Sequence, residues 1–317
     1  MRRRRAARRS GTQGSSREVR LEGTARDGEL ARQKVGAEHP RRNPTSGAPG
    51  TFRAPTASGL AAVVAALLAS ALLLVLVLPV IGLAVQGGAG GLRGLAMDRE
   101  LRGALLLTGA AASAATLLAV VCGTPLAWAL ARRRLRGAPV VAALLDLPLV
   151  LPHPVAGLAL LLVLGRDTPL GAALLAAGVR VVSAPLGIVL AMLFVSAPLY
   201  VAGAAEAFAR VDARYEGVAR TLGDSWWRAA HRVTLPLAGR GLLAAAIVTW
   251  ARAVSEFGAI VIIAYHPRVA SVLVYDRFTS YGMSEAVPAA AALLIVALVP
   301  LVLLRLLRAR PGAGEQP

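Results

Sequence analysis

Residues 206–236 read EAFARVDARYEGVARTLGDSWWRAAHRVTLP, a polar island with long apolar runs on both sides. The stretch has the pattern of two short helices joined at a glycine. Asp212 can cap the first, because a carboxylate there accepts orphan backbone N–H groups at the helix start. Tyr215, Val218, Ala219 and Leu222 then recur at helical spacing and give one apolar face. Gly223 ends that helix, since glycine enters the left-handed conformation without a steric penalty. Asp224 is expected to cap a second turn over SWWRAAHRV. Pro236 is expected to close the island, because its ring cannot continue a helix. By spacing alone, an amphipathic connector lying on a membrane surface accounts for the stretch as well as a docking element does.

What flanks the island decides the class. Of 317 residues 56% are hydrophobic, and the mean hydropathy is +0.62. Ordinary globular domains contain about 45–50% apolar residues. Apolar segments lie near Gly59–Val85, Ala104–Leu130, Val140–Leu164, Pro185–Ala205, Gly241–Tyr265 and Ala286–Leu307. All six reach the roughly 20 residues that a helix needs to cross a bilayer core. The fold class expected is an all-α membrane protein with about six transmembrane helices. The one cysteine, Cys122, sits in an apolar run, so neither an intrachain disulfide nor a cysteine metal site is expected. His39, His153, His231 and His266 are scattered and no His-Glu-x-x-His occurs, so no metal site is expected at all.

The net charge is +18. In a soluble protein that would suggest nucleic acid. In a membrane protein the question is on which side the charges lie. Residues 1–53 carry 14 Lys/Arg and 5 Asp/Glu, half of the total excess, with almost no apolar periodicity. They read as a solvated tail with no nucleic-acid role, a basic arm or an anionic-lipid contact being the alternatives. MRRRR resembles the start of a signal peptide, but no apolar region follows until about residue 59, so a cleavable signal is not expected.

Arginines then mark the loops. RRRLR at 132–136 has four, the island has Arg210, Arg214, Arg220, Arg228, Arg232 and Arg240, and Arg305, Arg308 and Arg310 follow the last span. The alternate loops carry fewer and are offset by Asp98, Glu100, Asp167, Asp276 and Glu285. Both termini and the island are therefore expected on the cytoplasmic side of a cell membrane. This divides the chain into a tail at 1–55, a membrane domain at 56–308 containing the loop 206–236, and a short tail at 309–317.

Glu216, Ala219, Gly223 and the Leu235–Pro236 pair resemble the "EAA" loop of the membrane subunits of ABC importers, E-x-x-A with a glycine four residues on and then LP. ARTLG at 219–223 is the form found in oxyanion permeases. In that family the loop is a cytoplasmic coupling helix that docks into a cleft of a separate ATPase subunit. The resemblance assigns Glu216, Ala219, Leu222, Gly223, Asp224, Leu235 and Pro236 to that coupling. Glu216 is expected to contact the partner. Gly217 and Val218 stand where many relatives have alanines, so a less stiff helix is expected.

Two spans are irregular. LPLVLPHPVAG puts Pro148, Pro152 and Pro154 inside the third, where prolines kink a helix and free carbonyls that protein or a cavity must cover. It resembles the LP-x-x-LPP-x-VAG segment of oxyanion permeases. Pro152 and His153 read either as packing residues or as part of a translocation path. In the fifth, TWARAVSEFGAIVIIAYHP, Arg252 and Glu256 are four apart and can pair on one helix face. Charges at such depth usually face a bundle interior or a watery path. Arg252, Ser255 and Glu256 therefore read as path residues or as a structural ion pair. Residues 251–284, with SEFGA, AYHP and LVYDRFTSYGM, look like tungstate/molybdate permeases in particular, and sulfate/thiosulfate permeases share this outer stretch less well.

The resemblance implies the type I ABC importer permease (MetI-like) fold. It implies a homodimer in the lipid bilayer, two ATP-binding cassette subunits and an extracytoplasmic oxyanion-binding protein, working by alternating access. ATP and Mg would sit on the partner ATPase and no cofactor in this chain. No P-loop is present, and the lone lysine, Lys34, follows Gln33, so no catalytic residue is expected. With ten residues after Leu307, a cytoplasmic regulatory domain is not expected. An ion-coupled secondary transporter is the other class, but only Asp146 and Glu256 supply carboxylates within spans.

Overall fold

The computed structural model describes residues 59–309; the basic stretch 1–55 and nearly all of the tail 309–317 lie outside the described residues. Every regular element among the described residues is a helix, with no strand. Helix α1 spans Gly59–Met97, α2 Arg99–Ala131, α3 Ala138–Val150, α4 His153–Leu164, α5 Pro169–Ala176 and α6 Pro185–Ala209. The polar island holds α7 (Ala213–Thr221), α8 (Trp226–Ala229) and a π-helical turn at Ala230–Thr234. Then come α9 (Leu235–Val254), α10 (Gly258–Ile263), α11 (Ala270–Tyr281) and α12 (Met283–Ala309). Among the described residues five helical runs are long and apolar enough to cross a membrane, six if the bent α3–α4 pair counts as one.

Helix α2 is the axis of the bundle. Ala104, Ala111, Ala112, Ala115, Ala119, Gly123 and Ala127 fall on one buried stripe. Small residues let helices approach closely where lipid supplies no hydrophobic drive between them. A Cβ on Gly123 would come within 2.9 Å of Tyr200 in α6, so only glycine admits that ring. Three apolar layers stack along α2. The first joins Leu101 and Leu105 to Ala270, Leu273 and Ala289. The second gathers Ala112 and Ala115 with Ile188, Met192, Ile260 and Ile263. The third packs Trp128 against Tyr200, Phe208 and Ala238. Residues from Ala66 onward form one unit.

Three expectations need correction. The apolar run from Gly59 continues as helix to Met97, through QGGAGG, although each glycine costs roughly 1 kcal/mol relative to alanine. Packing overrides propensity: a Cβ on Gly87 would lie 2.7 Å from Ala291 Cβ and one on Gly91 would lie 3.0 Å from the Ala292 nitrogen, so the glycines seat α1 against α12.

The third segment is broken rather than merely kinked: α3 and α4 are bent by 114° from one another across Leu151–Pro152, as in a broken span or a re-entrant loop. Leu151 precedes a proline and is extended (φ −69°, ψ 132°), while Pro154 sits in the first turn of α4, where its missing N–H is harmless. With 13 and 12 residues, each half spans only about 20 Å at 1.5 Å per residue.

The fifth segment is displaced. One helical run continues from Trp226 to Val254, and it breaks at Ser255–Phe257. Pro236 therefore does not close the island. The chain widens into a π turn just ahead of it, which accommodates a ring that has no N–H and would strike a carbonyl one turn back.

Candidate functional site

Helix α7 begins where Asp212 accepts the Arg214 backbone N–H at 2.8 Å. It ends in a Schellman motif: Asp224 N–H bonds Ala219 O and Gly223 N–H bonds Arg220 O, both at 3.1 Å. Gly223 has φ +99°, the left-handed region that glycine enters freely. The second turn is capped by Ser225 rather than Asp224; Ser225 accepts the Arg228 N–H at 3.4 Å. The Asp224 carboxylate instead pairs with Arg232 at 3.3 Å and Arg228 at 3.8 Å. Tyr215, Val218 and Leu222 face outward, with Leu222 83% exposed, while Ala219 is half-buried. Leu235 is half-buried and Pro236 exposed at the foot of α9.

The structure turns Glu216 the other way, which corrects its expected role as a partner contact. It is 5% exposed. Its Oε1 accepts Thr234 Oγ1 at 2.6 Å, Arg132 Nε at 2.9 Å and Trp128 Nε1 at 3.3 Å. Arg132 also donates through Nη1 to the Val211 carbonyl at 3.0 Å. Burial by itself raises the Glu216 pKa, but bonds from Thr234 and the Arg132 guanidinium more than offset it and hold the carboxyl below its ordinary value. Trp226 stacks on Trp128 at 5.4 Å, and the Arg134 guanidinium lies over the Trp128 ring at 4.5 Å. Arg132, Trp128 and Thr234 stand 84, 88 and 18 residues from Glu216. Nothing in RRRLR singles out its first arginine. The one hint is that Trp128 and Arg132, four apart, share a helix face.

The second place is where the two broken spans meet. Arg252 Nη2 lies 2.8 Å from Glu256 Oε2 and 2.8 Å from His153 Nε2. Ser255 Oγ receives Arg252 Nη1 at 3.3 Å. His153 Nδ1 is 3.7 Å from Glu256 Oε2. Glu256 is 1% exposed, and its Oε1 accepts the Ala259 N–H at 2.9 Å, satisfying a donor that the start of α10 leaves open. The pair expected on one helix face thus forms across a break. His153 belongs to the same cluster, and Pro152 forms the corner before α4. Two glycines bring the halves together. A Cβ on Gly258 would meet His153 Cβ at 2.6 Å, and one on Gly157 would meet the Ala259 carbonyl at 2.6 Å.

At the end of α2 far from Arg132, the loops neutralise themselves. Arg277 pairs with Asp98 at 2.6 Å and Glu100 at 3.4 Å, and Arg268 with Glu100 at 2.8 Å and with Asp276. The Tyr265 hydroxyl bond, opposed by slight burial and helped by Arg268, holds Asp276 below its ordinary pKa. Among the described residues no cluster of His, Cys, Asp or Glu could hold a metal ion.

Comparison with known proteins identifies the family. Over 202 residues, 64% of this chain and 76% of the relative, the sequence is 41% identical to the molybdate/tungstate transport system permease protein WtpB of Thermococcus kodakarensis. It is 41% identical over 201 residues, 63% of this chain and 73% of the relative, to a probable molybdenum ABC transporter permease of Haloferax volcanii. The sulfate transport system permease CysT of Synechocystis is 32% identical over 244 residues, 75% and 85% of the two chains. Among solved structures, a bacterial alginate ABC transporter bound to its periplasmic protein has the same fold, with a TM-score of 0.59 at 16% identity over 78% of this chain and 94% of that one. Residues 119–310, from the middle of α2 to the last helix, match the family model outright, and the chain belongs to the binding-protein-dependent transport system inner membrane components.

Proposed function

We propose that this chain is the permease subunit of an ATP-driven importer for molybdate or tungstate, working as a homodimer with two ATPase subunits and an extracytoplasmic binding protein. The observation that carries the reading is α7: a short capped helix between two spans, with Tyr215, Val218 and Leu222 turned outward and unpartnered by this chain's core. The relatives' oxyanions supply the substrate class. The uneven charge of the two ends supports the orientation, with Arg133, Arg134 and Arg136 exposed at the α7 end, while Arg268 and Arg277 are paired with carboxylates at the other. The α7 end is cytoplasmic.

The path passes the meeting of the two broken spans. There, Arg252 is 22% exposed and His153 45% exposed at the side chain, so both reach a passing anion while Glu256 stays behind them. Irregular backbone at membrane depth occurs where it lines a cavity or is covered by protein. ATP binding closes the ATPases, draws the two α7 helices together and rocks the bundle between inward- and outward-facing states. ATP and Mg are held by the partner subunits and none by this chain.

Uptake of labelled molybdate, tungstate and sulfate into vesicles holding the whole complex tests this. ATP-dependent molybdate or tungstate uptake that exceeds sulfate uptake is expected. A preference for sulfate would move the substrate to that class, and uptake driven by an ion gradient without ATP would overturn the reading.

A further inference from the structure

Glu216 sits at the centre of the coupling helix yet is buried against this chain's own residues, so its three bonds serve something inside the subunit. Those bonds reach two other elements. Arg132 and Trp128 end α2, and Thr234 belongs to the π turn that runs without interruption into α9. Arg132 also holds Val211, where α6 hands over to α7. One guanidinium therefore ties the coupling helix, the corner that enters it and two spans, while its Nη2 is buried without a partner. A buried charged group left partly unpaired is a poor device for stability alone, since apolar replacements of ion pairs are often neutral or stabilising.

We infer that Arg132 is a positioning residue that makes α7 and the ends of α2 and α6 move as one body, with Glu216 carrying the link on to α9 through Thr234, so that displacement of the coupling helix reaches the spans. Without it α7 still meets the ATPase through Tyr215, Val218 and Leu222, because none of those side chains takes part in the clamp. This rests on α7 being the coupling helix, and the experiment separates the two ideas.

In the reconstituted complex with Cys122→Ser, nitroxides are placed at Arg220→Cys on α7 or Arg136→Cys beyond α2, both exposed. Distances between the two copies are read with and without ATP. In the otherwise unmodified complex, both distances change together. With Arg132→Met the α7 distance still changes, the Arg136 distance changes by less than half, and anion moved per ATP falls about tenfold, the size expected for losing a buried charge-assisted bond. Binding of the ATPase subunit stays unchanged. Arg132→Lys, which keeps the charge but not the fork, recovers part of the loss, and Arg133→Met has no effect. If Arg132→Met does not assemble, Thr234→Val removes one bond to Glu216, with a loss of about threefold expected. Unchanged transport per ATP in whichever variant assembles overturns the inference. So does a loss of ATPase binding, turnover and uptake in strict proportion, which marks a merely structural role. An α7 distance that ignores ATP in the unmodified complex overturns the coupling reading and this inference with it.

Discussion

Breaking the Arg252–Glu256 pair one partner at a time should cost far more than its surface counterparts. Glu256 is 1% exposed and Arg252 22%. Stranding one member of a fully buried pair costs about 3–5 kcal/mol. Two features lower that figure for Arg252→Met: the arginine is partly exposed, and His153 Nδ1 already lies 3.7 Å from the same carboxylate oxygen. About 2 kcal/mol is the expectation there. Glu256→Gln keeps a side-chain oxygen for the Ala259 N–H at 2.9 Å, so it should also cost about 2 kcal/mol, the worth of a charged hydrogen bond. Together the two changes remove the pair without stranding a charge, and the double variant should fall about 1.5–2 kcal/mol short of the sum. The assay is equilibrium unfolding of the complex in bilayer discs, as a double-mutant cycle, with uptake measured alongside. Additivity within about 0.5 kcal/mol would mean that the two side chains do not meet, and the geometry of the break would be wrong.

Gly258→Ala should lower stability by about 1–3 kcal/mol and impair uptake, since its Cβ would press on His153 Cβ at 2.6 Å, and thermal melts and uptake check both. Gly217→Ala, with nothing within 4 Å of the new methyl, should instead stiffen α7 by about 1 kcal/mol and keep uptake intact. Gly223→Trp forces a bulky residue to φ +99°; the subunit should still insert, but ATP turnover stimulated by loaded binding protein should be lost, as measured on the reconstituted complex. Because the folded Glu216 carboxyl has a lowered pKa, its contribution to stability is complete above the unfolded value and fades as pH falls through the folded one. The difference in melting temperature between the parent and Glu216→Gln should therefore shrink on acidification from about pH 5 downward, and a constant difference would show that the charge is not what counts.

What could be read from the residues follows from physics that acts locally. Apolar runs announce spans because a bilayer core demands a fixed length of uninterrupted hydrocarbon contact. Asp212 and Gly223 announce the ends of α7 because capping and left-handed termination depend on single side chains. Pro152 and Pro154 announce an interruption, but the 114° between α3 and α4 is set by the facing helix, through Gly157 and Gly258, and no local rule contains it. The same applies to the end of α9. Arg252 and Glu256 at four-residue spacing suggest a continuous helix, yet the chain leaves it at Ser255, and Glu256 keeps Arg252 through Oε2 while its Oε1 caps the first turn of α10. Asp224 and Ser225 are both good caps, and the ion pairs to Arg228 and Arg232 decide between them. The inward turn of Glu216 is out of reach of local rules for another reason: two of its three partners, Trp128 and Arg132, stand 88 and 84 residues back at the end of α2.

The buried carboxylate Glu256 sits where a helix stops, and that position changes what its removal means. In a regular helix, replacing an ion pair by two apolar side chains leaves the backbone satisfied, which is why such replacements can be neutral. At the α9–α10 break the backbone itself depends on the charge. Glu256 Oε1 takes the Ala259 N–H, and the Glu256 carbonyl takes Ser271 Oγ at 2.7 Å. An apolar pair, Arg252→Met with Glu256→Met, would orphan the Ala259 donor away from water, at a cost of about 1–3 kcal/mol that the Arg252→Met, Glu256→Gln pair avoids. The apolar double variant should therefore be the less stable of the two, although both remove the charges. If the two are equally stable, the carboxylate serves only its arginine, and α10 holds its first turn without it.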